Sequence, residues 1–172
     1  MTDKTPEIVF EHEDFDFETL EEEIRVDEQC RNLLHQFYIW MQNNELSPER
    51  ASELTYCVDY YLRDYLLDFL RDNPLRPKAG QLRYFAANWY ITRTLEPEMS
   101  VLEKHLEGLV LVYSFLHELG LISADILARI IQEAGELDYY QKRIEVFLAL
   151  AGEGYEAWDK ECPFSTVERG VV

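Results

Sequence analysis

Arg71, Arg76, Lys78 and Arg83 form the one local concentration of bases in this chain, and the chemistry open to them is contact with an anion. That anion can be a phosphate, a carboxylate on a partner, or the chain's own acidic N-terminal segment. Phosphate binding calls for a net basic footprint, whereas the chain carries −18 at pH 7, so the two carboxylate readings suit the charge better. His12 stands among Glu11, Glu13, Asp14 and Asp16, an array that attracts hard cations but lacks the Gly and the distal Glu of a calcium loop. His117-Glu118-Leu119-Gly120 begins like a metalloprotease helix and has no second His one turn later, so the zinc chemistry of that motif is absent. His35 and Cys57 would make a base and a nucleophile if the fold joined them, although a buried Cys is ordinarily inert. Glu21-Glu22-Glu23 and the pair Glu103 and Glu107 are acids of the kind that ligate metals in four-helix bundles. The Glu-x-x-His pattern of such sites never occurs, because Val9, Asn32, Leu102 and Ser114 stand three places before the four histidines. No catalytic, cofactor-binding or metal-binding set is therefore predicted.

The elements that must position these residues are helices. With 172 residues, 47% of them hydrophobic and 13% aromatic, the chain can bury a core without metal or disulfide staples. Cys30, Cys57 and Cys162 are odd in number and far apart, which fits free thiols in a reducing compartment. No apolar run approaches the roughly 18 residues that span a bilayer. Met1-Thr2-Asp3-Lys4 does not open a leader, so the expectation is a cytoplasmic protein with no membrane partner. Residues 1–28 hold twelve acids against Lys4 and Arg25, a balance of −10, while residues 29–152 come to −5 and the remainder to −3.

Apolar spacing divides the chain into an acidic N-terminal segment (1–28), a helical bundle (29–152) and an irregular C-terminal tail (153–172). In the first, Phe10, Phe15, Phe17, Leu20 and Ile24 are too apolar for a free tail, so the segment is expected to dock on the body, its acids near Arg76, Lys78 or Arg83. From Cys30 the set Leu33, Leu34, Phe37, Trp40 and Met41 follows three-and-four spacing up to Asn43-Asn44. Ser47 then caps a helix with Pro48 at its first position, and Ala51, Leu54, Val58, Tyr61, Tyr65 and Phe69, widened by Leu62, Leu66 and Leu70, mark its buried side. A third helix covers Gly80 to Thr94 with Leu82, Phe85, Ala86 and Trp89 inward. Ser100-Val101-Leu102-Glu103 reads as a capping box opening a helix that stops at Gly120. Ser123 caps a further helix through Ala134, and another spans Leu137 to Ala151. In the tail, Tyr155, Trp158 and Phe164 are expected to pack back. The sum is an all-α, compact multi-helix bundle of about five to seven helices, with Trp40, Leu54, Val58, Trp89, Leu109 and Tyr113 in its core.

Phe37-Tyr38-x-Trp40-Met41, Leu46-Ser47-Pro48, Tyr61-Leu62-x-x-Tyr65-Leu66 and the stretch from Ser100 to Leu121 resemble the helices of the N-terminal core-binding (SAM-like) domain of tyrosine recombinases and phage integrases. The resemblance covers about residues 30–122 and implies a helical bundle. The recombinase catalytic domain, with its Arg, His and Tyr set, has no counterpart in the roughly fifty residues after Gly120. Function belongs to a site and not to a scaffold.

The leading expectation is a noncatalytic acidic interaction protein, with a protein partner or self-association and with nucleic acid disfavoured. Adjacent aromatics such as Tyr60-Tyr61, Trp89-Tyr90 and Tyr139-Tyr140 cannot all face inward on one helix, which makes an interface part of this reading. A DNA-associated accessory protein using Arg71, Arg76, Lys78 and Arg83 is the alternative. An enzyme whose site is scattered through the sequence is the third.

Overall fold

The computed structural model describes residues 9–150 and 154–162. Among the described residues the chain is an all-α bundle of seven helices, each uninterrupted winding counted once, without a strand. Thr19 caps α1 (Leu20–Asn43), its Oγ1 accepting from Glu22 N at 3.2 Å, and Glu21, Glu22 and Glu23 place negative charge at the positive end of the helix dipole. Val26, Cys30, Leu33, Leu34, Phe37 and Met41 are its buried face. Because α1 begins at Leu20, the boundary expected at residue 28 falls inside a helix.

Ser47 Oγ accepts from Arg50 N at 3.1 Å and Pro48 opens α2 (Pro48–Asp59), as its sequence predicts. The helix continues without a break as a π-helical segment, Tyr60–Leu70. A winding closed by i to i+5 bonds brings residues four and five apart onto one face. That geometry buries Tyr61, Tyr65, Leu66 and Leu70 together and gives the broad stripe its physical reason. The third helix has three parts: α3 (Gln81–Tyr84), a second π segment (Phe85–Trp89) and α4 (Tyr90–Arg93). The two π segments pack side by side through aromatic rings, with Tyr61 and Phe85 edge to face at 4.9 Å and Tyr65 against Trp89 at 5.2 Å.

The central helix is α5 (Met99–Glu118), which packs against α2 on one side and α6 (Ala124–Ala134) on another. It starts before Ser100, and Glu98 precedes it without a side-chain cap, so the expected capping box does not form. Gly120, with φ 76°, takes the left-handed conformation expected of it. Ser123 caps α6 through Ile126 N, and α7 (Leu137–Leu148) follows.

Of the expected core residues, Leu54, Val58, Trp89, Leu109 and Tyr113 are buried, whereas Trp40 is half-buried. Its indole Nε1 donates to Glu118 at 2.5 Å instead of entering the interior. In the N-terminal segment Phe10 and Phe15 are buried, but Leu20 and Ile24 are 72% and 63% exposed, on the outward side of α1. The C-terminal stretch expected to be irregular contains α8 (Gly154–Lys160), whose Trp158 is buried. Arg143, itself buried, holds it: Nε donates to Ala87 O at 2.9 Å and Nη1 to Trp158 O at 2.6 Å. Phe164 lies outside the described residues.

Candidate functional site

Three of the four bases singled out in the sequence, Arg71, Arg76 and Lys78, line one open cleft of about 390 Å³ together with Asp16, Glu18 and Asp72, while Arg83 lies apart from them beside Glu136. Arg71 leaves its helix in a left-handed conformation and meets Glu23 at 3.0 Å, its guanidinium 4.8 Å above the Phe17 ring. Arg76 reaches Asp16 at 3.3 Å and Glu13 at 3.7 Å. Lys78 pairs with Asp72 at 3.1 Å. Arg83 faces the other way, forking onto Glu136 at 2.5 and 2.8 Å. Hydrogen bonds from Asn73 and Arg76 hold the Asp16 carboxyl below its ordinary pKa. Each base thus meets a carboxylate of its own chain, Arg71 and Arg76 on the N-terminal side, Lys78 within its own loop, and Arg83 on the turn before α7.

His35 is exposed and Cys57 buried, so the two do not form a pair. The histidine beside Cys57 is His105, which no motif in the chain marks out. It is buried among Tyr60, Phe85 and Tyr90, with ring centroids 5.5–5.8 Å away. Burial pushes its pKa down, against a hydrogen bond to the Cys57 main chain, and its Nδ1 is buried without a hydrogen-bond partner among the described residues. Burial raises the Cys57 thiol, and burial with Asp27 nearby raises Cys30 to about 12. Such thiols remain protonated and are poor nucleophiles. His12 and His117 meet the main-chain carbonyls of Leu121 and Ile122, at 2.6 and 2.9 Å. Among the described residues no three of His, Cys, Asp and Glu are grouped to hold a metal ion.

The arrangement with unspent chemistry lies where the two π segments meet the surface. An open cleft of about 410 Å³ is lined by Tyr60, Asp64, Asp68, Phe69, Trp89 and Arg93. The first π segment supplies Tyr60, Asp64, Asp68 and Phe69, one turn apart along one side, and the second supplies Trp89. Among the described residues Asp64 and Asp68 have no cation within 4 Å; burial first, then the like charges of Asp68 and Asp59, raises the Asp64 pKa. Trp89 Nε1 is likewise buried without a partner among those residues. Arg93, in the last turn of α4, lays its guanidinium over the rings of Phe69 and Trp89, at 5.2 and 5.3 Å from their centroids. Among the described residues it makes no ion pair.

No protein-family model matches the chain, and neither a curated protein nor a solved structure matches it.

The cleft thus sets two carboxylates against one guanidinium, and the stacked Arg93 shows that the ring faces accept a cation. Sequence reasoning found the aromatics and missed the acids. The available signal was the spacing of Asp64 and Asp68, four apart: like charges at that distance on a helix are locally unfavourable and need a reason from elsewhere.

Proposed function

We propose that this protein is a noncatalytic interaction module whose partner is a basic segment of another protein, received at the cleft of Asp64, Asp68 and the surrounding aromatics. One observation carries this reading: Arg71, Arg76, Lys78 and Arg83 are each engaged by a carboxylate of the chain, while Asp64 and Asp68 face the surface without a cation among the described residues. A chain of −18 attracts a basic partner from a distance, and the cleft provides somewhere for it to stop. The same pairing weakens the DNA-associated alternative, since a phosphate would have to displace Glu23, Asp16, Asp72 and Glu136 from the four bases. Helices of the recombinase core-binding kind remain compatible with the scaffold and imply no DNA contact by themselves.

Calorimetric titration of the full chain with a blocked Arg-Gly repeat peptide, a Lys-Gly repeat and an Asp-Gly repeat tests the proposal. Basic peptides should bind and the acidic one should not. Asp64→Asn with Asp68→Asn should weaken binding about tenfold, as expected when charge-assisted contacts worth about 1.5 kcal/mol or more are lost. A control that removes equal charge elsewhere, Glu49→Gln with Glu145→Gln, should change it about twofold or less. Equal losses in both double variants would mean that the attraction is diffuse and the cleft is not the site.

A further inference from the structure

Resting on that reading, we infer that the cleft is a seat for an arginine side chain of the partner, and that Arg93 is a resident occupant which the incoming guanidinium replaces. Arg93 is held incompletely. Its guanidinium lies over Phe69 and Trp89, yet among the described residues no carboxylate oxygen comes within 4 Å of it, in a chain with 34 acids and with two of them lining the same cleft. Every other described arginine reaches an acid or a main-chain carbonyl: Arg50 meets Glu53 and Glu107, Arg63 meets Asp59, and Arg129 donates to Pro77 O. A guanidinium entering from outside is not tethered to the last turn of α4. It can lie on the same rings and still present its fork to Asp64 or Asp68, adding charge-assisted hydrogen bonds that the resident lacks.

The seat also discriminates between cations. A planar guanidinium stacks on an indole and donates in its own plane at the same time, whereas an ammonium must choose between ring face and full hydration. Arginine is therefore the preferred side chain. Displacement of Arg93, an exposed side chain, gives up cation–π contacts together worth about two- to fivefold in a binding constant, so a partner arginine with a carboxylate contact outcompetes it. Loss of Arg93 should then free the seat. Simple charge attraction also gains when the Arg93 charge is lost, but equally for arginine and lysine, because the rings play no part in it.

The test titrates the full chain with the Arg-Gly and Lys-Gly peptides. Arg93→Ala should bind the Arg peptide about two- to fivefold more tightly, the ratio corresponding to the cation–π contact removed. Lys142→Ala, which removes an exposed charge on α7, supplies the charge-matched control and should gain less. Phe69→Leu, at a side chain 37% exposed and so tolerant of change, should lower the preference for Arg over Lys. If the Arg and Lys peptides bind the native chain equally and Arg93→Ala gains no more than Lys142→Ala, the arginine seat is wrong while a basic partner stands. If the Asp64 and Asp68 substitutions match their own control for both peptides, the cleft is not where a basic partner binds, and the proposed function fails together with the seat.

Discussion

Gly108 sits where α5 crosses α2, and its missing side chain sets how close the two helices come. A Cβ there would stand 3.0 Å from Val58 Cγ2 and 3.2 Å from the Leu54 carbonyl oxygen. In a free helix Ala is favoured over Gly by about 1 kcal/mol, so the substitution would ordinarily stabilise. At this crossing the backbone oxygen cannot swing away, and forcing the helices apart costs about 1–3 kcal/mol. Gly108→Ala should therefore lower the thermal midpoint; an unchanged or higher midpoint would show that the crossing relaxes freely. His105 makes a prediction of a different kind. Its folded pKa lies below the ordinary 6.5, so the unfolded chain takes up the proton first as pH falls. The stability tied to its neutral form is fully present above about 6.5 and is lost as pH drops below that towards the folded pKa. Glu133 acts with the opposite sign, because burial raises its pKa and acidification relieves the cost of its charge. The total profile mixes the two, and the informative measurement is the difference between the native chain and His105→Phe. Between about pH 7.5 and about pH 5.5 the native chain should lose stability relative to the variant. Parallel profiles would mean that His105 titrates as it does in water.

At the scale of elements, what the sequence disclosed and what it hid follow one rule. Helices with local punctuation were legible: Ser47-Pro48, Ser123 and Gly120 act through hydrogen bonds and dihedrals a few residues away, and each does in the structure what its type predicts. The exceptions arise where a distant contact decides. Ser100 looks like a cap, but α5 already begins at Met99, with Leu102 N donating to the Glu98 carbonyl. The π winding of Tyr60–Leu70 has no Gly or Pro to announce it and is visible only as a stripe too broad for one helix face. Since that winding sets Asp64 and Asp68 beside Trp89, the cleft was hidden along with it. Basic residues could be found by composition, but their occupation by Glu23, Asp16, Asp72 and Glu136 could not, because three of those four partners lie outside their immediate sequence neighbourhood. The helix α8 escaped for a similar reason. Its seven residues are too few to be stable alone, and its anchor is Arg143 on α7. Removing that anchor gives a test. Arg143→Met leaves the Ala87 and Trp158 carbonyls without their charged donor, and a hydrogen bond to a charged group is worth about 1.5–3 kcal/mol. The variant should be destabilised by that order, and hydrogen exchange should speed up in residues 154–160 before the rest of the bundle. Uniform acceleration would show that α8 is not a separable unit.

For the whole molecule the governing quantity is a net charge of −18 on a chain of 172 residues, which opposes folding through long-range repulsion. Ion pairs work the other way over short distances, Arg71 with Glu23 at 3.0 Å and Arg83 with Glu136 at 2.5 Å. Salt separates the two effects by range. Raising ionic strength from about 0.01 M to about 0.15 M shortens the screening length from about 30 Å to about 8 Å, which removes most repulsion across the molecule and leaves contacts under 4 Å largely intact. Exposed pairs are worth little individually, so their partial loss cannot offset the gain. The thermal midpoint should therefore rise with sodium chloride over this range, a salt preferred to sulfate because sulfate strengthens apolar burial by exclusion from the surface. Association with a basic peptide should weaken over the same range, since screening reduces attraction between opposite charges as it reduces repulsion between like ones. Folding and binding would thus respond to salt with opposite signs. A midpoint that falls as sodium chloride is added would mean that the internal ion pairs, and not the net charge, dominate the electrostatics of this protein, and that its acidity is consumed inside the fold instead of being turned towards a partner.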